Sequence, residues 1–187
     1  NLKTPGFIRF PINKAHVLKG LTIKEKVYNF LNANKSLYGI KSINMSFKET
    51  KIKTDIYGLK HYTAKQQYKG VPVYDSELRF HFDKNEDLKS INGNFIPNIN
   101  LNHIPKLTKT EASIIALRMV ENQNLNNSGK KLKIITNKLY VFPKGLVQGY
   151  VTQKHLSYSI EIRNDLDVRE FLFIDAHTGK LVEQFTG

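Results

Sequence analysis

The sequence predicts an α+β chain built as two lobes, each an antiparallel β-sheet packed on one main helix. Three observations predict it. A helix with a capping box opens at Thr22, and a second opens at Thr108, 86 residues later. Each is followed by runs that alternate apolar and polar residues, the period-two mark of half-buried strands. Each half then closes on an Asp-led hairpin, at Asp83 and again at Asp175, an offset of 92. Helix, meander and hairpin recurring in one order point to a weak internal duplication. The lobes are expected at residues 1–96 and 107–182, joined by the Asn- and Pro-rich linker 97–106 and followed by a C-terminal segment at 183–187.

Residues 6–10 read as a short strand before Pro11. In the first helix the Thr22 hydroxyl takes an amide of the first turn and Glu25 reaches back. Ile23, Val27, Phe30 and Leu31 form one apolar stripe, and Asn32, Asn34 and Gly39 close the helix. Strands are expected at 44–53, 59–68, 71–83 and 88–95, with a bulge at Gly93. Lys69-Gly70 breaks the run between the second and third. Pro72 has no N–H for a ladder, so its strand begins there or lies at an edge. Leu78, Phe80 and Phe82 face one way, with Glu77, Arg79, His81 and Asp83 opposite. The second helix presents Ala112, Ile115, Ala116 and Met119, and a polar loop spans 122–131. Strands follow at 132–142, 146–152, 156–163, 168–175 and 180–185. Residues 171–174 are apolar on both faces, so that strand is expected to be central and covered. Residues 175–179 form a turn ending in Gly179.

The 187 residues are 40% apolar and include 11 Phe and 9 Tyr but no Trp, enough for a core. Absence of Cys excludes disulfides and thiolate chemistry. No apolar run approaches the roughly 20 residues of a membrane span. The net charge is +13, from 24 Lys and only 5 Arg against 16 acidic residues. Nucleic-acid readers lean on Arg and cluster their charge. Here the lysines run from Lys3 to Lys180 and are locally dense only at 48–53 and 130–133, so no nucleic-acid partner is expected. A solvated lysine surface and a long-range match to an acidic protein both fit this distribution.

Catalytic patterns are missing: no HExxH, GxSxG, GxxxxGK[ST] or GxGxxG occurs. His16, His61, His81, His103, His155 and His177 are scattered without local metal-ligand spacing. No catalytic residue and no metal ligand is expected in this chain. Glu161, Asp165, Asp167 and Glu170, interleaved with Arg163 and Arg169, read as surface pairs. The run Gln66-Gln67-Tyr68-Lys69-Gly70 is close to the QxVxG hairpin of cystatins, with Tyr68 in place of the valine. Gly6 and the helix at 22–34 complete that pattern, so a cystatin-like inhibitor of cysteine proteases stands as an alternative.

The longer run HYTAKQQYKGVPVYDSEL resembles the fungalysin/thermolysin propeptide domain, whose signature reads His-aromatic-Arg-x-x-Gln-x-Tyr-x-Gly-Ile/Val-Pro-Val. His61, Tyr62, Gln66, Tyr68, Gly70, Val71, Pro72 and Val73 fit it, while Thr63 stands where the family has Arg. Upstream, KVYNFLNANKSLYGI resembles the family's helix ending in FLxxNKxLFGL. Downstream, LTKTEASIIA and REFLFIDAHTGKLVEQF resemble the two ends of a PepSY domain, with Asp175, His177 and Gly179 in its closing hairpin. The resemblance implies two cystatin-like lobes and the pro-region of a bacterial, secreted zinc metalloprotease of the thermolysin family, extracellular after signal-peptide removal. Such a pro-region acts as intramolecular chaperone and as the inhibitor that keeps the zymogen latent. It implies no cofactor in this chain; zinc and calcium belong to the cognate catalytic domain, expected beyond Gly187. That domain is the implied partner, and the +13 surface calls for it to be acidic. Gln184, Phe185, Thr186 and Gly187 are then placed to enter the active-site cleft, Phe185 filling a pocket and Gly187 at or near a processing site. The rival from another class is a free-standing lysine-rich module for polyanions or cell-surface partners.

Overall fold

The computed structural model describes residues 3–11, 16–48, 52–123 and 125–187. The chain is α+β, and it divides into two compact units, Asn1–Ile99 and Asn100–Gly187.

The first unit holds β1 (Phe7–Arg9), α1 (Ile23–Ala33), α2 (Lys35–Tyr38), α3 (Ile43–Ser46), β2 (Phe47–Lys48), β3 (Lys53–Thr54), β4 (Lys60–Tyr68), β5 (Val71–Phe82) and β6 (Leu88–Gly93). Helix α1 starts where its capping box predicts. The Glu25 amide donates to Thr22 Oγ1 at 3.2 Å, and the Glu25 carboxylate accepts from the Thr22 and Leu21 amides. Thr22→Ala is expected to cost about 1 kcal/mol, visible as a fall of the thermal midpoint by a few degrees. The stripe Ile23, Val27, Phe30 and Leu31 is buried. It packs on a sheet face made by Tyr62, Ala64, Leu78, Phe80, Phe82, Leu88 and Ile91. Phe30 meets Phe80 edge to face with ring centroids 6.0 Å apart.

In this unit β5 lies between β4 and β6, β1 pairs with β6, and β2 and β3 pair with the other side of β4, all antiparallel. The strand expected over 44–53 is mostly absent. Residues 43–46 form a helical turn, β2 and β3 are two residues each, and residues 49–51 lie outside the described residues. Gly93 is not the bulge. The register of β5 and β6 shifts at His81/Phe82 instead. Gly93 has φ +126°, and a Cβ there would lie 2.0 Å from the Glu77 carbonyl oxygen, so close backbone approach is what demands glycine. Between β4 and β5, Lys69 (φ 49°) and Gly70 (φ 85°) form a two-residue loop. Positive φ at both positions is what a tight hairpin of the right twist requires. Pro72 is the second residue of β5, opposite Gln67, so it stands at a strand start.

The second unit holds α4 (Lys109–Asn122), β7 (Lys133–Pro143), β8 (Lys154–Arg163), β9 (Arg169–Asp175) and β10 (Leu181–Thr186). The strands pair antiparallel in that order. The second capping box also forms, with the Glu111 amide 3.2 Å from Thr108 Oγ1 and the Thr108 amide 2.7 Å from the Glu111 carboxylate. The buried face of α4 is Ala112, Ala116 and Val120, while Ile115 and Met119 are half-buried. The helix is thus turned from the expected stripe, its small alanines lying against β7, β8 and β9. Residues 171–174 run through β9, an inner strand flanked by β8 and β10, and Leu172, Phe173 and Ile174 are at most 1% exposed. Phe173 stacks on Phe142 at 3.9 Å. The strand expected at 146–152 is a 3₁₀ turn, Leu146–Gln148, because left-handed Gly145 and Gly149 bend the chain on either side of it.

Candidate functional site

The side chains of the 61–74 hairpin build the first unit from inside. Tyr62 is 2% exposed and belongs to the core. Tyr68 is half-buried at the end of β4, with Lys69 Nζ 5.4 Å from its ring centroid. Gly70 and Pro72 are exposed at the turn. The register between β4 and β5 breaks after Lys65/Glu77 and resumes at Gln67/Pro72, so residues 73–76 stand opposite Gln66 alone, with Asp75 at φ 48°. Gln66 fills that gap. Its Nε2 donates to the Ile96 carbonyl and its Oε1 accepts from the Ile96 amide, both at 2.8 Å. Ser76 Oγ donates to the same Oε1 and also lies 3.0 Å from the Asn94 carbonyl. At 4% exposure the Gln66 amide stands in for a strand partner that the backbone cannot supply.

His61 and His81 are direct cross-strand partners on β4 and β5. Their Nδ1 atoms are 2.8 Å apart. His61 Nε2 lies 3.2 Å from Asp55 Oδ2, and His81 Nε2 lies 2.6 Å from Asn92 Oδ1. Asp55 Oδ1 accepts from the Tyr57 and Leu59 amides at 2.9 Å. Desolvation pushes the Asp55 carboxyl up, but the Leu59 amide, the His61 ring and the Tyr57 amide outweigh it and hold it below its ordinary value. Sequence spacing missed this cluster, since 20 residues separate the two histidines. The Lys69-Gly70 turn alone would set His61 opposite Leu78, and the break in register opposite Gln66 is what brings His81 to face it. Among the described residues no group of three or more His, Asp or Glu side chains converges as a metal site.

At the other end of the chain Asp175 organises the turn after β9. Its Oδ1 accepts from the His177 and Thr178 amides at 2.9 Å and from the Thr178 hydroxyl at 3.1 Å. Its Oδ2 lies 3.2 Å from His155 Nδ1. His177 Nε2 is 3.1 Å from the Asn102 carbonyl, and Gly179 is buried beneath Leu107 and Ile115. Gln184, Phe185 and Thr186 all belong to β10, hydrogen-bonded along β9. Gln184 Nε2 donates to the Glu170 carboxylate at 2.6 Å, and Phe185 meets Phe173 edge to face at 5.9 Å. Thr186 and Gly187 are exposed, and the Gly187 amide donates to the Arg169 carbonyl at 2.8 Å. The tail residues therefore lie in the sheet, at its outermost strand, instead of standing off from it.

The acidic residues of this unit are less uniform than surface pairing predicts. Asp165 pairs with Lys133 at 2.9 Å in the open. Glu161 and Glu170, however, are 8% and 2% exposed, Glu161 pairing with Arg169 at 3.0 Å. Glu161 lies opposite Phe171 beneath the half-exposed Arg169 side chain, and Glu170 lies opposite Ile162 and accepts from Gln184.

Residues 46–95 match the Fungalysin/Thermolysin Propeptide Motif, a span that contains β2 to β6 and every residue of the 61–74 hairpin. The chain belongs to the thermolysin-family propeptides. This propeptide is 30% identical to bacillolysin of Brevibacillus brevis over 136 residues, covering 67% of the chain and 24% of that protein. It is 28% identical to bacillolysin of Bacillus cereus over 197 aligned positions, covering 98% of the chain and 32% of the relative. Against thermolysin of Alicyclobacillus acidocaldarius subsp. acidocaldarius the identity is 26% over 198 positions, with 98% and 33% covered. The propeptide thus spans a quarter to a third of the length of these curated relatives. Among the described residues no helix is long and apolar enough to cross a membrane.

Proposed function

We propose that the chain acts as the intramolecular chaperone of a secreted thermolysin-like zinc metalloprotease and as the inhibitor that keeps its zymogen latent by covering the active-site cleft. The match of residues 46–95 to the propeptide motif carries this reading. A scaffold that binds only the folded catalytic domain stabilises that domain by mass action. The net charge of +13 suits an acidic partner, where complementary potentials speed encounter. Zinc and calcium belong to the catalytic domain in this scheme, and the second unit serves as a PepSY domain. The strand β10 gives the inhibitory segment an extended form, the form in which a chain lies along a cleft. The cystatin-like alternative loses support from Gln66, which is committed to the interior, so that within the run 66–70 Lys69 and Gly70 are the exposed residues.

The chain added in trans is expected to inhibit its cognate protease. Deleting residues 186–187, which spares the contact of Phe185 with Phe173, is expected to weaken inhibition at least about tenfold while binding persists. Equal inhibition by the shortened chain overturns the role of the tail. Retention on a polyanion column without any inhibition of the protease favours the lysine-rich binding module instead.

A further inference from the structure

We propose that Ile56 and Tyr57, at the tip of the hairpin formed by β3 and β4, anchor the first unit to its partner in an apolar pocket rimmed by carboxylates. That partner is the cognate catalytic domain, on the reading of this chain as a protease propeptide proposed above. Ile56 is 91% exposed and Tyr57 is 70% exposed. Turn tips are ordinarily built from Gly, Asp, Asn, Ser and Pro, and Asp55 and Gly58 supply what this one needs. Asp55 Oδ1 accepts from the Tyr57 and Leu59 amides, both at 2.9 Å. The Asp55 amide donates to the Leu59 carbonyl and the Gly58 amide to the Asp55 carbonyl, both at 3.0 Å. Asp55 Oδ2 lies 3.2 Å from His61 Nε2, which ties the loop to β4. None of these bonds uses the side chain of Ile56 or Tyr57.

A single exposed apolar residue is ordinary. Two adjacent ones on a loop locked by its own hydrogen bonds are a prepared contact. Such a loop holds its side chains in one arrangement and loses little freedom on binding. Tyrosine suits this position, because it offers a large rigid apolar body and a polar end. The Tyr57 hydroxyl has no hydrogen-bond partner among the described residues. Charge defines the other half of the match. Lys53 stands on β3 opposite His61, and the Lys84 side chain runs beside Gly58, 3.6 Å from where a Cβ would lie. Neither ammonium group makes an ion pair among the described residues. Lys60, by contrast, is engaged with Glu86, and the Asp55 carboxylate is turned to the loop amides and His61. The tip is therefore an apolar knob flanked by two unpaired cations. Its complement has an apolar floor and carboxylates at the rim, the usual division between an interface's core and its edge. The two apolar side chains supply affinity, and the lysines speed encounter and select the partner.

The test measures binding of the full chain to the mature cognate protease, prepared separately, by calorimetry and stopped-flow kinetics. Tyr57→Ala is expected to weaken binding at least about 30-fold and Ile56→Ala about 10-fold. Both leave the thermal midpoint within about 2 °C, since neither side chain is packed. Leu21→Ala, at a position 94% exposed outside the hairpin, keeps native affinity. Lys53→Gln combined with Lys84→Gln slows association several-fold at low salt and hardly at all at high salt. Native affinity in Tyr57→Ala overturns the anchor while the propeptide reading stands, whereas a native chain that does not bind the protease overturns both. An equal loss in Leu21→Ala, a loss in Tyr57→Ala that follows a fallen thermal midpoint, or an association rate indifferent to the two lysines also overturns the proposal. So does self-association of the native chain through Tyr57, seen by sedimentation in place of protease binding, because the occupant is then a second copy.

Discussion

Replacing Gln66 with alanine is expected to destabilise the first unit by about 3–5 kcal/mol, measured as a drop in the urea midpoint at unchanged slope. The substitution strands two buried backbone groups and takes one of two acceptors from Ser76. The Ile96 amide and carbonyl lose their only described side-chain partner, and Ser76 Oγ keeps only the Asn94 carbonyl. Each buried polar group left unpaired costs about 1–3 kcal/mol. Gln66→Glu separates shape from hydrogen bonding. A carboxylate still accepts from the Ile96 amide and the Ser76 hydroxyl, but it has nothing to donate to the Ile96 carbonyl and carries an unpaired charge into the interior. It is therefore expected to be at least as damaging as alanine. Neighbouring Gln67 is half-buried, and its one described bond, to the Phe47 carbonyl, is long at 3.4 Å. Gln67→Ala is expected to cost under about 1 kcal/mol. Equal losses at positions 66 and 67 would show that the interior bonds of Gln66 have no special weight.

Asp175→Ala is expected to cost about 2–4 kcal/mol and to flatten the acid limb of the stability curve. Burial pushes the Asp175 carboxyl up, but the His177 amide, the His155 ring, the Thr178 amide and the Thr178 hydroxyl outweigh it and hold it below its ordinary value. A carboxyl with a depressed value in the folded state binds its proton more readily when unfolded. Its contribution is therefore complete above the unfolded value, near 4, and disappears as pH falls through the lower folded value. Unfolding free energy measured between pH 6 and 2.5 is expected to fall steeply in its lower half for the native chain and less steeply for Asp175→Asn. The asparagine retains an oxygen for the two turn amides, so at pH 6 it is expected to be less harmful than alanine. A native curve that stays flat below pH 4 rules out this role for the turn.

Local chemistry accounts for what was legible in the sequence. Both capping boxes, the stripe on α1 and the alternation along β5 depend on residues three, four or two apart, and all of them appear in the structure. The failures lie where partners are distant or the backbone departs from a regular path. Gln66 reads as an ordinary strand residue until Ile96, 30 positions on, comes back to pair with it. The facing of His61 and His81 needs the register of two strands, which no single-strand pattern contains. Residues 44–53 mix apolar and charged side chains as a strand does, yet 43–46 close a helical turn, and 146–152 are bent by glycines that alternation ignores. The last strand was legible as the return arm of the hairpin that Asp175 leads. That the pairing continues through Gln184, Phe185 and Thr186 was not, because how far a hairpin ladder runs depends on both of its arms.

The position of β10 has a consequence for the chain's behaviour in bulk solution. An outermost strand presents a row of amide and carbonyl groups that a second copy of the same strand can match, the usual route to edge-to-edge clumping. The exposed Leu181 makes that edge more adhesive than a purely polar one. Mutual repulsion among molecules of charge +13 works against such encounters. The abundance of lysine thus has a colloidal use, keeping copies dispersed, that is independent of any partner the charge draws in.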